Sequence, residues 1–359
     1  MTSENMERNI LKLALLVFAA FLLSGCMKDD EWIAQHRNKI QLPKGVFIVN
    51  EGNFMYGNAT LSFYDPINRE VQNDIFWNVN GLPLGDVGQS MIIQGNEAYI
   101  VMNNSGKIYI IDTSNGKYIG KITGLTSPRY VHFINEEKAY VTDLYAGKIT
   151  IFNPKTNLVT DSILTHGHPS TEQMVQIGDF VYVTCWSYDN TILVIDTKDD
   201  TVAGEIKVGT QPGGIVVDKQ NKIWVLCDGG WGKTGTSSRI PVLQKIDPVL
   251  KNIEQTIDLS TDGKTARLAI NGTRDTLLFI SSGIWKMSVN SNKLPDLPFV
   301  SSKGNFLYGL GIDPYTSEIY FSDAIDYSQR GIVYRYSALG ARIDSFKTGI
   351  IPGAFCFKP

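Results

Sequence analysis

A short β-rich run that stops at an aspartate, or at a stand-in for one, recurs along the chain. The runs are "LSFYDP" (Asp65), "IYIIDT" (Asp112), "ITIFNP" (Asn153), "ILVIDT" (Asp196) and "LQKIDP" (Asp247). "KMSVNS" (Asn290) and "YRYSAL" (Ser337) continue the series with weaker matches. Successive landmarks stand 47, 41, 43, 51, 43 and 47 residues apart, the length of a four-stranded propeller blade. The fourth unit, "QMVQIGDFVYVTCWSYDNTILVIDTKDDTVAGEIKVG", shows the internal grammar. Met174 to Ile177, Phe180 to Cys185, Thr191 to Ile195 and Val202 to Val208 are β-rich, and turn formers such as Gly178-Asp179 and Lys198-Asp199-Asp200 part them. No stretch after Trp32 sustains a 3.6-residue apolar period, so few helices are expected. Short antiparallel sheets cannot cover both faces alone, and stacking them around an axis solves that problem. The expected class is all-β, a β-propeller with four-stranded antiparallel blades.

Seven landmarks predict seven blades. The first unit opens at "GVFIVNEG" with no innermost strand before it, and the chain ends "GIIPGAFCFKP", much like the innermost run "QPGGIVVD" at Gln211 to Asp218. Pro352 to Phe357 is therefore expected beside Val46 to Asn50, completing blade one with the C-terminal strand and hiding edges that would invite pairing with other chains. Six or eight blades are the alternatives, because "ARLAINGTRDTLLFISSGIWKMSVN" is the most degraded unit. The runs "FVYVTC", "ILVIDTKDDTVAGEIKVGTQPGGIVVD" and "KAYVTDLYAGKITIFNPKTN" resemble the YVTN repeats of YncE-like seven-bladed propellers. The resemblance covers Gly45 to Phe357 and implies a fold; function stays open, since propellers host many activities.

The N-terminus bears on location. Arg8 and Lys12 precede an eleven-residue apolar run, Leu13 to Leu23, too short to span a bilayer and shaped like a secretory signal peptide over 1–25. "Leu-Ser-Gly-Cys" resembles the bacterial lipobox, which implies lipidation at Cys26, a tether over 26–43 and a propeller over 44–359. "MKDDE" just after the cysteine resembles the surface-export signal of Bacteroidetes lipoproteins, which implies an outer-membrane lipoprotein facing the exterior. The alternatives are an ordinary signal peptide with an incidental cysteine, and a charge run that is only a solvated tether. Lys and Arg number 33 against 36 Asp and Glu, a formal charge of -3, which supplies no basic stripe for a nucleic-acid partner. Once Cys26 is assigned, Cys185, Cys227 and Cys356 remain, an odd count that argues against a disulfide framework. Cys185 and Cys227 end apolar runs and read as buried small hydrophobes.

In a propeller the loops joining strands two and three share one face with the blade-to-blade connections. Here those segments carry Asn53, Phe54, Tyr56, Trp77, Arg129, Tyr130, Tyr145, Trp186, Tyr188, Trp231 and Tyr327. Tyr and Trp give rigid contact area with a polar handle, so this face is expected to bind a large, flat, amphipathic ligand with amide or hydroxyl edges. For any single ring, packing between blades is the competing reading. "GVFIVNEGNFMYGNATLSFYDP", "DIFW" and "PLGDVGQSMIIQGNEAYIVMNNSGKIYIID" resemble the BtuG-type propeller lipoproteins of Bacteroidetes. That resemblance implies cobalamin (vitamin B12) as ligand, a TonB-dependent outer-membrane barrel as partner, membrane attachment through lipid only, and no cofactor. Two other classes stay in view: a propeller scaffold for protein–protein contact, and a metal-dependent propeller hydrolase. For the last, "HGH" (His166 and His168) offers two metal ligands, with Asp143 or Asp189 able to join on the same face, but no third His or Cys accompanies them in the sequence. Two loop histidines read as polar surface, so no metal and no catalytic residue is expected. No nucleophile elbow, Walker loop or dinucleotide fingerprint occurs.

Overall fold

Seven four-stranded antiparallel sheets account for the body of the chain. The structure is a computed structural model that describes residues 40–230, 240–260, 265–302 and 306–359. The expected signal segment, Cys26 and nearly all of the tether fall outside the described residues, as does Trp231. β1 (Gly45–Asn50), β2 (Thr60–Asp65) and β3 (Glu70–Gln72) begin blade one. A short helix, α1 (Ile75–Asn80), leads to blade two: β4 (Gly88–Gln94), β5 (Glu97–Met102), β6 (Lys107–Asp112) and β7 (Tyr118–Ile122). Blade three is β8 (Pro128–Phe133), β9 (Ala139–Asp143), β10 (Lys148–Asn153) and β11 (Leu158–Leu164). Blade four is β12 (Thr171–Ile177), β13 (Phe180–Cys185), β14 (Thr191–Asp196) and β15 (Thr201–Lys207), close to the bounds expected from sequence. Blade five is β16 (Pro212–Val217), β17 (Ile223–Cys227), β18 (Val242–Asp247) and β19 (Asn252–Asp258). The degraded sixth unit keeps all four strands, β20 (Thr265–Ile270), β21 (Thr276–Ser281), β22 (Gly283–Ser288) and β23 (Val300–Ser301), the last only two residues long. Blade seven is β24 (Leu307–Ile312), β25 (Ile319–Asp323), β26 (Arg330–Tyr336) and β27 (Arg342–Ile350), and β28 (Pro352–Lys358) returns to blade one.

The landmark residues have a physical job. Asp65 Oδ1 accepts from the backbone N–H of Ile67 and Asn68, Asp112 from Ser114, Asn153 from Lys155, Asp196 from Lys198, and Asp247 from Val249 and Leu250. Each closes the turn between the third and fourth strands by the Asx mechanism. In the two weak repeats a hydroxyl substitutes: Ser288 Oγ accepts from Asn290 N–H, and Ser337 Oγ from Ala341 N–H.

Strand alternation sends successive residues to opposite neighbours. Tyr182 packs towards blade five with Ile215 and Val225, whereas Val181, Val183 and Cys185 pack towards blade three with Tyr140 and Ile149. The core is thus a set of apolar seams between blades. Cys185, Cys227 and Cys356 are buried and unpaired with one another, as the odd count implied.

β28 pairs antiparallel with β1 in the expected register, from Val46 opposite Phe357 to Asn50 opposite Pro352. Side chains bolt the same seam from outside. Tyr64 of blade one stacks on Phe346 of blade seven at 3.9 Å, and its hydroxyl donates to Asp344 Oδ2 at 2.5 Å. Arg335 donates to the Pro66 carbonyl at 3.0 Å. No helix among the described residues is long and apolar enough to cross a membrane.

A chain ending at Ile351 would leave β1 an open edge at the axis. It is expected to lose its single cooperative melt and to aggregate on heating, checked by scanning calorimetry with light scattering; an unchanged melt would refute the closure. Burial first, and then Asp344, push the Tyr64 hydroxyl up to about 12 from an ordinary 10.0. Folding therefore favours its neutral form: the stabilisation is complete below about pH 10 and is lost as pH climbs through about 12. Chemical denaturation at about pH 9 and about pH 11.5 should show this fall in the native protein and a smaller one in Tyr64→Phe.

Candidate functional site

Every innermost strand breaks register near one end. The irregularities fall at Gly88/Ser90, Pro128/Val131, Thr171/Met174, Pro212/Gly214, Ala266/Leu268 and Leu307/Leu310, and across from Val49/Asn50 in β28. A bulge re-aims the side chain of the residue it leaves unpaired. Here those residues are Gln89, Arg129, Tyr130, Glu172, Gln173, Gly213, Arg267, Tyr308, Gly309 and Gly353. Most of them line a cavity of about 660 Å³, and Tyr130, Gln173 and Arg267 also line a second space of about 320 Å³.

The cavity floor is a set of paired charges. Arg129 grips Glu172 with two bonds, Nε to Oε2 at 2.6 Å and Nη2 to Oε1 at 2.7 Å, and its Nη1 donates to Gln89 Oε1 at 2.5 Å. Across the floor Arg267 Nη2 donates to Glu51 Oε1 at 3.1 Å, and the Tyr308 hydroxyl donates to Glu51 Oε2 at 2.7 Å. Burial works against the Arg129 charge, but the Glu172 carboxylate more than offsets it and holds the guanidinium above its ordinary value. Arg267 shows the same balance, with burial opposed by Tyr130 and Glu51. Burial, and then Glu51, push the Tyr308 hydroxyl up, so it stays a donor at neutral pH.

Two glycines admit large neighbours. A Cβ on Gly353 would stand 2.3 Å from Glu51 Oε1, and one on Gly213 would touch the Trp186 ring at 3.5 Å. The "NEGN" and "LGDVG" motifs meet beside this floor: Gly88 N–H donates to the Glu51 carbonyl at 3.2 Å, Ala59 N–H to the Gly85 carbonyl at 3.0 Å, and Met55 N–H to Asp86 Oδ2 at 2.9 Å.

The aromatic residues expected on this face divide. Tyr130, Tyr145, Trp186 and Tyr188 line the cavity together with Arg129. Tyr145 and Tyr188 stand at its rim, 70% and 75% exposed. Trp186 is fixed by a bond from Nε1 to Asp228 Oδ2 at 3.0 Å. Tyr327 packs edge-on against Tyr308 with ring centres 5.8 Å apart, and Asn53 Nδ2 donates to the Tyr327 carbonyl at 2.5 Å, tying two rim loops together. Phe54 and Tyr56 are exposed on the β1–β2 loop and do not line the cavity. Trp77 is a correction. It rides on α1, which packs against β2 of blade one, sets Phe76 against Tyr109 of blade two and ties Asn80 to Gly116 and Tyr118 at the β6–β7 turn, so the helix runs between the two blades and Trp77 does not line the cavity. In the metal-hydrolase alternative "HGH" could have joined Asp143, but both Asp143 oxygens accept from the backbone N–H groups of Thr126, Ser127, Tyr145 and Ala146.

Sequence reasoning did not select Glu51, Gln89, Glu172, Gln173 or Arg267 for this site. The available signal was a polar residue one or two positions inside each innermost apolar run, as in "GQSM", "TEQM" and "ARLA".

The family described as "Domain of unknown function (DUF5074)" matches residues 44–348. The chain belongs to that family. Among curated relatives, Antigen Lp49 of Leptospira interrogans is 28% identical over 162 residues, 41% of this chain and 36% of that protein. The protein named "Uncharacterized protein YncE" from Salmonella typhi is 26% identical over 98 residues, 27% of this chain and 28% of that one. The alignments thus span about a third of those relatives' length. Among solved structures, a quinonprotein alcohol dehydrogenase-like protein from Bacteroides thetaiotaomicron superposes with a TM-score of 0.67 at 16% identity, covering 89% of this chain and 79% of that one. Hydrazine synthase from Kuenenia stuttgartiensis gives 0.58 at 12% identity, covering 75% and 89%. At such identities the likeness is one of fold.

The floor pairs make a direct prediction. Arg129→Met leaves Glu172 buried and uncompensated, an expected loss of about 3–5 kcal/mol, whereas adding Glu172→Met should recover most of it. Urea denaturation of the two single variants and the double variant reads the coupling.

Proposed function

We propose that the protein is a lipid-anchored receptor on the cell surface that captures cobalamin or a related corrinoid and passes it to a TonB-dependent outer-membrane barrel. The observation that carries this reading is one cavity in which Tyr145, Trp186 and Tyr188 stand over a floor of fixed donors and acceptors. Aromatic faces suit a flat macrocycle. Floor carboxylates and Gln89 can accept from amide N–H groups, while Arg129, Arg267 and Tyr308 can donate to amide oxygens. Because the floor charges are mutually paired, the surface presents polarity without net charge, which favours amides over anions. The short similarity to a Leptospira antigen and the motifs that resemble BtuG-type proteins support a binding role.

Capture at a tethered domain makes transfer to a neighbouring barrel effectively intramolecular. A second reading, contact with a protein partner alone, is favoured by the β1–β2 loop, where Phe54, Met55 and Tyr56 are 63%, 78% and 79% exposed. In the receptor reading this loop is the part of the rim offered to the barrel.

Calorimetric titration with cyanocobalamin should give one-to-one binding, weakened at least about tenfold by Trp186→Ala or Tyr188→Ala, the loss of one aromatic contact. No heat at micromolar protein would sink the corrinoid reading and bring the partner-contact reading forward.

A further inference from the structure

We propose that His168, Cys185 and Asp189 form a zinc site that clamps the loop carrying Trp186 and Tyr188. The inference is independent of what the cavity binds. Side-chain ligand atoms of the three residues lie within 4.8 Å of one another. A tetrahedral zinc ion, with bonds of about 2.0–2.3 Å, sets its ligand atoms about 3.3–3.7 Å apart, so side-chain shifts of about 1 Å complete the set.

The positions are built rather than incidental. His168 follows a left-handed turn, with φ of 42° at His166 and 98° at Gly167, and is held by Thr165, whose Oγ1 donates to its carbonyl at 2.6 Å. Cys185 is the last residue of β13 and fully buried. Asp189 lies four residues on, and its carbonyl accepts from Gln211 N–H at 2.7 Å. His168 Nδ1 sits 2.6 Å from Asp189 Oδ2, on the side where the ion would enter.

The other ring nitrogen supplies the second, independent observation. His168 Nε2 lies 3.2 Å from Glu205 Oε1, whose partner oxygen is paired with Lys207 at 3.2 Å. A carboxylate on the far nitrogen is what fixes the tautomer and raises the basicity of a metal-bound imidazole. Zinc would displace the proton that Nδ1 shares with Asp189 Oδ2 at 2.6 Å, and with Nε2–H then donated to Glu205 the Nδ1 lone pair would face the ion. One imidazole, one thiolate and one carboxylate suit zinc, whereas calcium and magnesium take oxygen ligands. Solvent completes the fourth position. Binding releases the Cys185 proton to solvent, so affinity should fall as pH is lowered.

The site has a structural consequence for the rim. Trp186, Ser187 and Tyr188 are strung between two of the ligands, and Tyr188 holds a left-handed φ of 59°, a conformation that costs a non-glycine residue energy. An ion bonded at both ends of that segment holds it in place.

The test uses the purified full chain, stripped with chelator and kept reduced, titrated with Zn²⁺ alone and then with Co²⁺. One equivalent of Zn²⁺ should bind at micromolar or lower concentration, and the cobalt form should show thiolate-to-metal charge-transfer absorption. Cys185→Ser should abolish that absorption, while His168→Gln and Glu205→Gln, both nearer the surface, should weaken zinc binding by about 10–100-fold. Cys227→Ser, at the matching position in blade five, should bind as the native chain does. The proposal is overturned if the native chain takes up no zinc, if its cobalt complex lacks thiolate absorption, or if His168→Gln binds zinc unchanged.

Discussion

The two ends of the propeller body meet in a single sheet, and the binding cavity hangs on that meeting. β28 lies against β1, and Glu51, the residue that follows β1, donates its backbone N–H to the Ile351 carbonyl at 2.8 Å. Glu51 then organises half of the cavity floor through Arg267 and Tyr308. Closing the ring and assembling the floor are therefore one event. The Tyr64–Phe346 stack and the Arg335 contact to Pro66 secure the outer part of the same joint. Without β28 blade one would be a sheet of three strands, and the last blade would lack its innermost-strand neighbour at the joint. Each blade alone is a small sheet with two exposed faces.

Much of this architecture could be read from the chain, because the repeat expresses a local necessity. An Asp, Asn or Ser at the end of each third strand closes a turn whose backbone N–H groups need an acceptor, so the landmark survives where other residues drift. The closing strand was legible for a similar reason: "IPGAF" carries the small residues that an innermost strand needs near the axis. The rim aromatics were legible because loops between strands two and three converge by topology. The floor was not. Glu172 and Arg267 sit inside strand segments, and only the bulges turn them into the channel; a single sequence gives no register for a bulge. Trp77 failed for a different reason, since a blade-to-blade connection can leave the mouth as a helix and run between the two blades. Cys185 looked like an ordinary core residue, and only the folded loop brings His168 and Asp189 to its sulfur.

Floor and rim differ in how they are held. The floor is made of inner-strand residues and Glu51, locked by the bidentate Arg129–Glu172 pair and the Arg267–Glu51–Tyr308 group, which fixes donors and acceptors before any ligand arrives. The rim is made of loops whose rings are more exposed, joined at a few points such as Asn53 to Tyr327 and Trp186 to Asp228. A pre-set polar base beneath adjustable aromatic walls lowers the ordering cost of binding at the base and leaves shape adaptation to the walls.

The bulges place one position from each inner strand at a common height around the axis. In ring order it reads Gly353, Gln89, Arg129, Glu172, Gly213, Arg267 and Tyr308, with the two glycines occupied by the side chains of Glu51 and Trp186. These seven positions lie outside the apolar clusters between blades, and polar pairs such as Arg129 with Glu172 and Gln89 join them from one blade to the next. The ring behaves like a combination lock in which neighbouring digits must be turned in pairs. One scaffold of this kind can diverge towards new ligands by short substitutional steps, and relatives that keep the turn landmarks need share nothing at these seven places.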